Sequence, residues 1–181
     1  MHELNPQIRI MQIASNIGRG IGELVFQLDL KERLEHEKRQ WVDRKDWDIV
    51  VEFIAFLLHV ANRFAFASIP SQRSLFITVC VLNAWAYLVK QMMHPDEPRR
   101  EEIKEELWRL FDEREVEYGK YRWTTPENQP LKGDLFWEFG KRIAKLHGFE
   151  NDFVATTEES MKAMEMVGIL KQMFDDQLMA R

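Results

Sequence analysis

The sequence predicts an all-α protein, a single-domain bundle of six or seven helices around a central apolar helical hairpin at about residues 47–93. Apolar residues recur at helical spacing along almost the whole chain, without runs of short alternating strands bounded by turn residues. Helix breakers are sparse, with eight glycines and six prolines in 181 residues. A composition of 45% hydrophobic and 30% charged residues is typical of globular proteins, so we expect residues 1–181 to fold as one domain.

The N-terminal part of the chain is predicted to form a long helix with a face of small residues. Apolar spacing indicates a helix at about residues 7–28, and Pro6 suits its first turn. A charged continuation with a thin apolar seam completes a possible N-terminal helical arm, residues 1–42. Three small residues are spaced four apart on this helix and would let another helix approach closely: Ala14, Gly18 and Gly22.

The boundaries of the central hairpin follow from capping residues and from proline. Asp43 or Asp46 is placed to cap its first helix, which ends before Pro70 because proline disfavours helical geometry in the preceding residue. Ser71 is placed to cap the second helix, and Asp96 the charged helix that follows. Both hairpin helices are apolar nearly all round, which indicates that other helices surround them.

The C-terminal part is predicted to contain a loop and two helices. Two prolines, a glycine and polar residues indicate a surface loop at residues 124–133. Asp134 is placed to cap a helix that ends at Gly148. The run TTEE at residues 156–159 has the pattern of a capping box and predicts the start of the last helix.

The two apolar helices also raise the alternative of a membrane hairpin. The uncharged run of the second helix, residues 74–89, is shorter than the roughly 20 residues that a membrane span needs. The first helix contains Glu52, His59 and Arg63, and each intramembrane charge costs about 2.5–3.5 kcal/mol. We therefore expect the hairpin to be the core of a soluble protein that does not contact a membrane.

One polar stripe interrupts the apolar central helix. Glu52, His59 and Arg63 fall within about 40° of one another on a helix that turns 100° per residue. A carboxylate, an imidazole and a guanidinium in a dry cleft could bind an anion or transfer protons, with His59 as the proton carrier. The other interpretation is a set of polar groups that satisfy one another by hydrogen bonding, and we favour it.

A second arginine lies in the middle of an apolar stripe, on the charged helix after the hairpin. Arg114 would be costly to bury alone, so it must find a carboxylate or water. Three carboxylates are candidate partners: Glu52, Glu117 and Glu138. The alternative is a pocket for a small molecule or anion, with five lining residues: Glu52, His59, Arg63, Arg114 and Tyr118.

Methionines are concentrated in the last helix. Methionine surfaces are adaptable and recur where a helix docks on a partner, although methionine also fills irregular cores. Four of these residues form the candidate interface: Met161, Met164, Met166 and Met173. A terminal amphipathic helix of this kind is the best place in the sequence for a dimer contact.

Several function classes are disfavoured by composition and motifs. The net charge of −5 argues against nucleic-acid binding, and basic pairs such as Lys141-Arg142 have acidic neighbours and indicate solvated faces. Cys80 is the only cysteine, so it has no disulfide partner. Neither Glu-x-x-His nor His-Glu-x-x-His occurs, and we expect no metal and no cofactor. The start, MHELNPQIRI, lacks the pattern of a secretory signal, so we expect a cytoplasmic protein.

The function that the sequence favours is protein–protein contact, as a homodimer or an adaptor. Self-association or another protein partner would use the C-terminal helix, and catalysis is not expected. The alternative is a helical domain that binds a small molecule or anion, or acts on one, in a pocket around Glu52, His59, Arg63 and Arg114. The alternative requires that Glu52, His59, Arg63 and Arg114 face a common pocket and are free to bind a ligand instead of pairing with one another.

Overall fold

The chain folds as an all-α bundle, as the sequence predicts. A computed structural model describes residues 5–123 and 133–179, without the side chains of residues 44 and 45. The predicted loop at 124–133 lies outside these residues except for Gly133. Within the described residues there are six separate helices and no strand, because α1 and α2 are joined by a π-helical turn. The segments are α1 (Pro6–Val25), the π turn (Phe26–Leu30), α2 (Lys31–His36), α3 (Arg44–Ser68), α4 (Arg73–Gln91), α5 (Arg100–Tyr118), α6 (Leu135–Leu146) and α7 (Phe153–Met179).

Helix α3 is the centre of the bundle. It contacts α1, α4, α5, α6 and α7, and nearly every apolar side chain from Ile49 to Ala65 is buried. A stretch of α3, Asp46–Ser68, is long and apolar enough to cross a membrane, but 83% of its most apolar window is buried inside the protein. The stretch Pro70–Gln91 passes the same test of length and composition with 28% buried. α3 is therefore a core helix, whereas α4 keeps an uncharged outer face.

Helices α1 and α4 pack at close range through the predicted small-residue face. A Cβ atom added to Gly18 would lie 2.3 Å from the carbonyl oxygen of Cys80, and one added to Gly22 would lie 2.7 Å from the ring of Tyr87. Both distances are shorter than atomic contact allows, so these positions need glycine. The prediction of a close helix approach is confirmed, and the predicted N-terminal arm contributes α1 to the core.

Helix α6 begins and ends as predicted. The Asp134 side chain accepts a hydrogen bond from the Trp137 amide at 2.8 Å, which caps the first turn. Gly148 has φ of +87°, and the Phe149 amide donates to the Ala144 carbonyl at 2.8 Å. This is the Schellman arrangement that ends helices at a left-handed glycine.

The predicted start of α7 was wrong. α7 begins at Phe153, one turn before TTEE, because Asp152 is its cap and accepts from the Ala155 amide at 2.9 Å. The Thr156 hydroxyl donates instead to the Asp152 carbonyl at 2.7 Å. An aspartate is as good a cap as a threonine and lies nearer the preceding turn, so it determines the boundary.

The cap of α3 is one of the two predicted residues, and two other helix starts differ from the prediction. Asp43 rather than Asp46 caps α3, since its side chain accepts from the Asp46 amide at 3.2 Å. Ser71 lies inside a short 3₁₀ turn, Pro70–Gln72, that precedes α4. Before α5, Glu97 rather than Asp96 accepts from the backbone, at the Arg99 amide.

Candidate functional site

Glu52 is the hub of a buried polar network between α3, α5 and α6. Its two carboxylate oxygens accept from Nε and Nη2 of Arg114 at 2.7 and 2.8 Å. The Tyr118 hydroxyl donates to the same carboxylate, and Nε of Arg142 lies 3.5 Å from it. Arg114 and Arg142 also each contact Glu117. The prediction that Arg114 finds Glu52 and Glu117 is confirmed, whereas Glu138 pairs with a surface lysine.

His59 belongs to a second polar cluster on the same face of α3. Its Nδ1 lies 2.7 Å from Glu115, and the Asn62 amide donates to the other oxygen of that carboxylate at 2.5 Å. Nε of Arg73, at the start of α4, donates to the side-chain oxygen Oδ1 of Asn62 at 2.6 Å. This cluster ties α3, α4 and α5 together through one carboxylate.

Arg63 donates to the backbone at the end of α5 rather than to a carboxylate of either cluster. Its Nη2 donates to the carbonyl of Tyr118 at 2.9 Å and to that of Tyr121 at 3.3 Å. The guanidinium carbon lies 5.8 Å from the centre of the Trp123 ring. Burial lowers the pKa of Arg63, and its Nη2 group is satisfied by two carbonyl groups at the C-terminal end of α5. Arg63 therefore has a capping role here.

The electrostatics of the Glu52 network favour pairing over ligand binding. Burial lowers the pKa of Arg114, but the Glu52 carboxylate outweighs it and the net pKa is raised. Burial and then Glu52 raise the pKa of the Tyr118 hydroxyl well above its usual value, so it remains a hydrogen-bond donor. A cavity of about 190 Å³ lies beside Glu52, Arg114 and Arg142, and these three side chains are already paired with one another or with Glu117. Three of the five predicted site residues meet here, and His59 and Arg63 lie in neighbouring contacts.

The sequence did not reveal Glu115 and Arg142 as members of these clusters. Glu115 lies on a helix where acidic residues are abundant, and nothing local distinguishes it from the others. Arg142 belongs to a basic pair that was predicted to be solvated, but its guanidinium is turned inward to Glu117. A useful signal was available for Arg142, because it is on the strongly amphipathic α6 one turn from buried Phe139.

A larger depression lies along α7. One cavity of about 770 Å³ is lined by residues of the π turn and of α7, which together we call the α7 groove: Leu28, Thr157, Glu158, Met161, Lys162, Met164, Glu165 and Gly168. A second cavity of about 500 Å³ adjoins it and shares Leu28, Glu158 and Lys162. The groove is thus continuous with the space between α2 and the turn that joins α6 to α7.

The π turn fixes the wall of this groove. Asp29 in the turn pairs with Arg33 at 3.0 Å and with Lys162 of α7 at 3.1 Å. Lys162 also lies 3.1 Å from Glu159. Burial lowers the pKa of Lys162, but the two carboxylates outweigh burial and raise the net pKa, so the ammonium stays charged. π turns are frequent at functional sites, and this one places Leu28 in the lining of the groove.

A metal ion would compete with that lysine. Donor atoms of Asp29, His147 and Glu159 lie within 4.8 Å of one another, a set of two carboxylates and an imidazole that could hold a divalent cation. The Lys162 ammonium already lies 3.1 Å from both carboxylates and balances their charge. We therefore assign the three residues to an ion-pair cluster that anchors the π turn.

The predicted methionine interface divides between the core and the surface. Met164 and Met166 are buried, and the methyl group of Met173 packs on Gly20 of α1. Met161 is 51% exposed at the groove. Other large apolar side chains are exposed near this end of α7: Phe149, Phe153 and Val154.

Gly168 differs from the other glycines in helix interiors. A Cβ atom there would meet no atom within 4 Å among the described residues, whereas one at Gly140 would lie 2.2 Å from Ser160. Glycine in a helix interior costs up to about 1 kcal/mol relative to alanine. The packing of Gly140 explains that cost, but nothing in the described part of the chain explains it at Gly168, which lines the groove.

Comparisons of the chain with protein-family models, with curated proteins and with solved structures find no match.

Proposed function

We propose that the protein acts through protein–protein contact and that the α7 groove is its docking surface. Gly168 carries the proposal. A residue that weakens α7 without relieving any contact inside the described bundle is expected where an outside partner needs the space. Gly168 also lines the α7 groove, a cavity of about 770 Å³ that is large enough to receive part of a partner.

The apolar character of this end of the molecule supports the proposal. Met161 is exposed in the groove, and Phe153 is 70% exposed at the start of α7. Clusters of exposed apolar side chains with polar edges are typical of interaction sites. Methionine in particular adapts to the shape of a partner.

The alternative of a small-molecule site around Glu52 has less support. Hydrogen bonds to Arg114 and Tyr118 occupy the carboxylate, and the neighbouring cavity of about 190 Å³ falls below the usual size of ligand pockets. A ligand there would have to separate a buried ion pair, which is strongly unfavourable.

Site-specific photo-crosslinking tests the proposal. A photoreactive phenylalanine analogue replaces Met161 in cells that make the protein naturally. The matched control carries it at Val116, an apolar position on α5 that is 68% exposed against 51% for Met161. We expect a discrete crosslinked protein from position 161 that is absent from position 116. Adding Gly168→Leu to the first variant should abolish the product by filling the groove.

Two outcomes would contradict the proposal. Equal crosslinking from positions 161 and 116 would mean that contacts at 161 are random collisions. A product that persists unchanged with Gly168→Leu would mean that the partner does not enter the α7 groove. Circular dichroism of each variant checks that the helical fold is intact.

A further inference from the structure

We propose that the partner that fills the α7 groove is an amphipathic helix with basic residues along its edges, supplied by a different protein. This inference rests on the proposed function above and adds the chemistry of the occupant. Three features of the groove lead to it: its length, the acidic exposed side of α7 and the open space at Gly168.

The length and shape of the groove fit a short helix. Its lining on α7 runs from Thr157 to Gly168, which spans about 17 Å along a helix axis, or three turns. Three apolar side chains line the groove: Leu28, Met161 and Met164. They suit apolar anchors spaced three, four and seven residues apart on a partner helix. Gly168 at one end lets the backbone of that helix approach α7 closely.

The exposed side of α7 at the groove is acidic. Glu158 and Glu165 lie two turns apart on the exposed side of α7, and Glu32 lines the adjoining cavity. None of these three carboxylates has an ion-pair partner within the described ranges, 5–123 and 133–179. The basic residue of the groove, Lys162, is already held by Asp29 and Glu159. The free charge that faces a partner is therefore negative, and lysine or arginine would complement it.

The same charges disfavour other occupants. Nucleic acid and anionic membranes carry phosphate, which the glutamates repel. A second copy of the chain related by a two-fold axis at the groove would bring Glu158 and Glu165 close to their own equivalents. The net charge of −5 adds to that repulsion.

Binding of designed peptides to the full chain tests the inference. Three fluorescein-labelled peptides of about 18 residues are used, each able to form a helix longer than three turns. The first has leucine at positions spaced three and four apart and lysine at both edges of that stripe. The second has glutamate in place of lysine, and the third contains the residues of the first in scrambled order. Fluorescence anisotropy measures the Kd of each.

We expect the lysine peptide to bind at least about 10-fold more tightly than the glutamate peptide and the scrambled peptide, since opposite charges face each other only in the first complex. The double variant Glu158→Lys/Glu165→Lys should reverse the preference between the lysine and glutamate peptides. Gly168→Leu should abolish binding of the lysine peptide and leave the thermal midpoint unchanged or raised, because leucine favours helix.

Other results would overturn the inference. Equal affinity for the lysine and scrambled peptides would show that charge attracts the peptide without a site for a helix. An unchanged preference in the double variant would show that Glu158 and Glu165 do not contact the peptide. Crosslinking from Met161 to a protein that the lysine peptide fails to displace would retain the proposed function and overturn this inference alone. A dimer in sedimentation analysis that Gly168→Leu dissociates would assign the groove to a second copy and also overturn it.

Discussion

Arg114 holds Glu52 by two parallel hydrogen bonds, at 2.7 and 2.8 Å, and joins α5 to the central helix α3. The side chains are 12% and 4% exposed, so neither charge has ready access to water. Glu52→Ala should destabilise the protein by about 3 kcal/mol, because it leaves the guanidinium buried without its main partner. Urea denaturation followed by circular dichroism measures the loss.

A double substitution separates pairing from packing. Glu52→Leu/Arg114→Leu removes both charges and should be more stable than either single variant, since apolar replacements of a buried pair are often tolerated. If the double variant loses as much unfolding free energy as the two single variants together, the two charges are not coupled in the folded protein.

Much of the fold could be predicted from local pattern. Helical periodicity gave the class and the central place of α3, and the short-range chemistry of Asp134 and Gly148 gave both ends of α6. A carboxylate partner for Arg114 followed from a physical requirement, because a guanidinium in an apolar stripe needs one, and Glu52 was among the three candidates. Such requirements can be read from the sequence whenever the unsatisfied group is unusual in its surroundings.

The remaining features depend on packing that no local pattern encodes. Glu115 contacts His59, 56 positions away in the sequence. Several other glutamates on α5 have similar neighbours in the sequence, so local pattern does not single out Glu115. The π turn at Phe26–Leu30 lies within an uninterrupted helical periodicity and becomes visible only where Asp29 meets Lys162. The burial of Met166 reflects which side of α7 faces the core, and apolar residues lie on both sides of that helix.

Two helix glycines should respond in opposite ways to the same substitution. Gly140→Ala would place its Cβ 2.2 Å from Ser160 Oγ and 2.5 Å from the Thr156 carbonyl oxygen, and should destabilise the α6–α7 contact by about 1–3 kcal/mol. Gly168→Ala meets no neighbour and should stabilise α7 by up to about 1 kcal/mol. Thermal unfolding of both variants compares them directly.

The comparison has an internal control. Gly168→Ala and Gly140→Ala make the same chemical change in helix interiors, so their difference reports the packing of each site. Similar shifts in the thermal midpoint for the two variants would mean that α6 and α7 are not in close contact at Gly140.

His147 should make stability depend on pH. Burial lowers the pKa of His147, and Arg33 and Lys162 act in the same direction, against Glu159 and Asp29. The unfolded state then takes up a proton at a higher pH than the folded state, so stability increases with pH in this range. The contribution of His147 is complete above about pH 6.5, the unfolded pKa, and is lost as the pH falls towards the lower folded pKa.

Thermal midpoints at pH 7.5 and pH 5.5 test this dependence. The wild-type chain should lose stability between the two values, and His147→Gln should lose less because glutamine does not titrate. His36→Gln is the matched control, since His36 lines the same cavity but is exposed. An equal loss in the His147→Gln variant and in the wild type would assign the dependence to other groups.

Cys80 should be inert in the folded protein and should report separation of α1 from α4. Its side chain is fully buried, its Sγ donates to the Ala14 carbonyl oxygen at 3.2 Å, and burial raises the pKa of the thiol above its usual value. Alkylation needs an exposed thiolate, so iodoacetamide at pH 8 should modify Cys80 only as fast as the chain opens.

Gly18→Ala, which would press on the Cys80 backbone, should accelerate the modification, whereas Gly168→Ala on α7 should not. Rapid alkylation of the unmutated chain, at the rate of a free thiol, would mean that α1 does not cover Cys80.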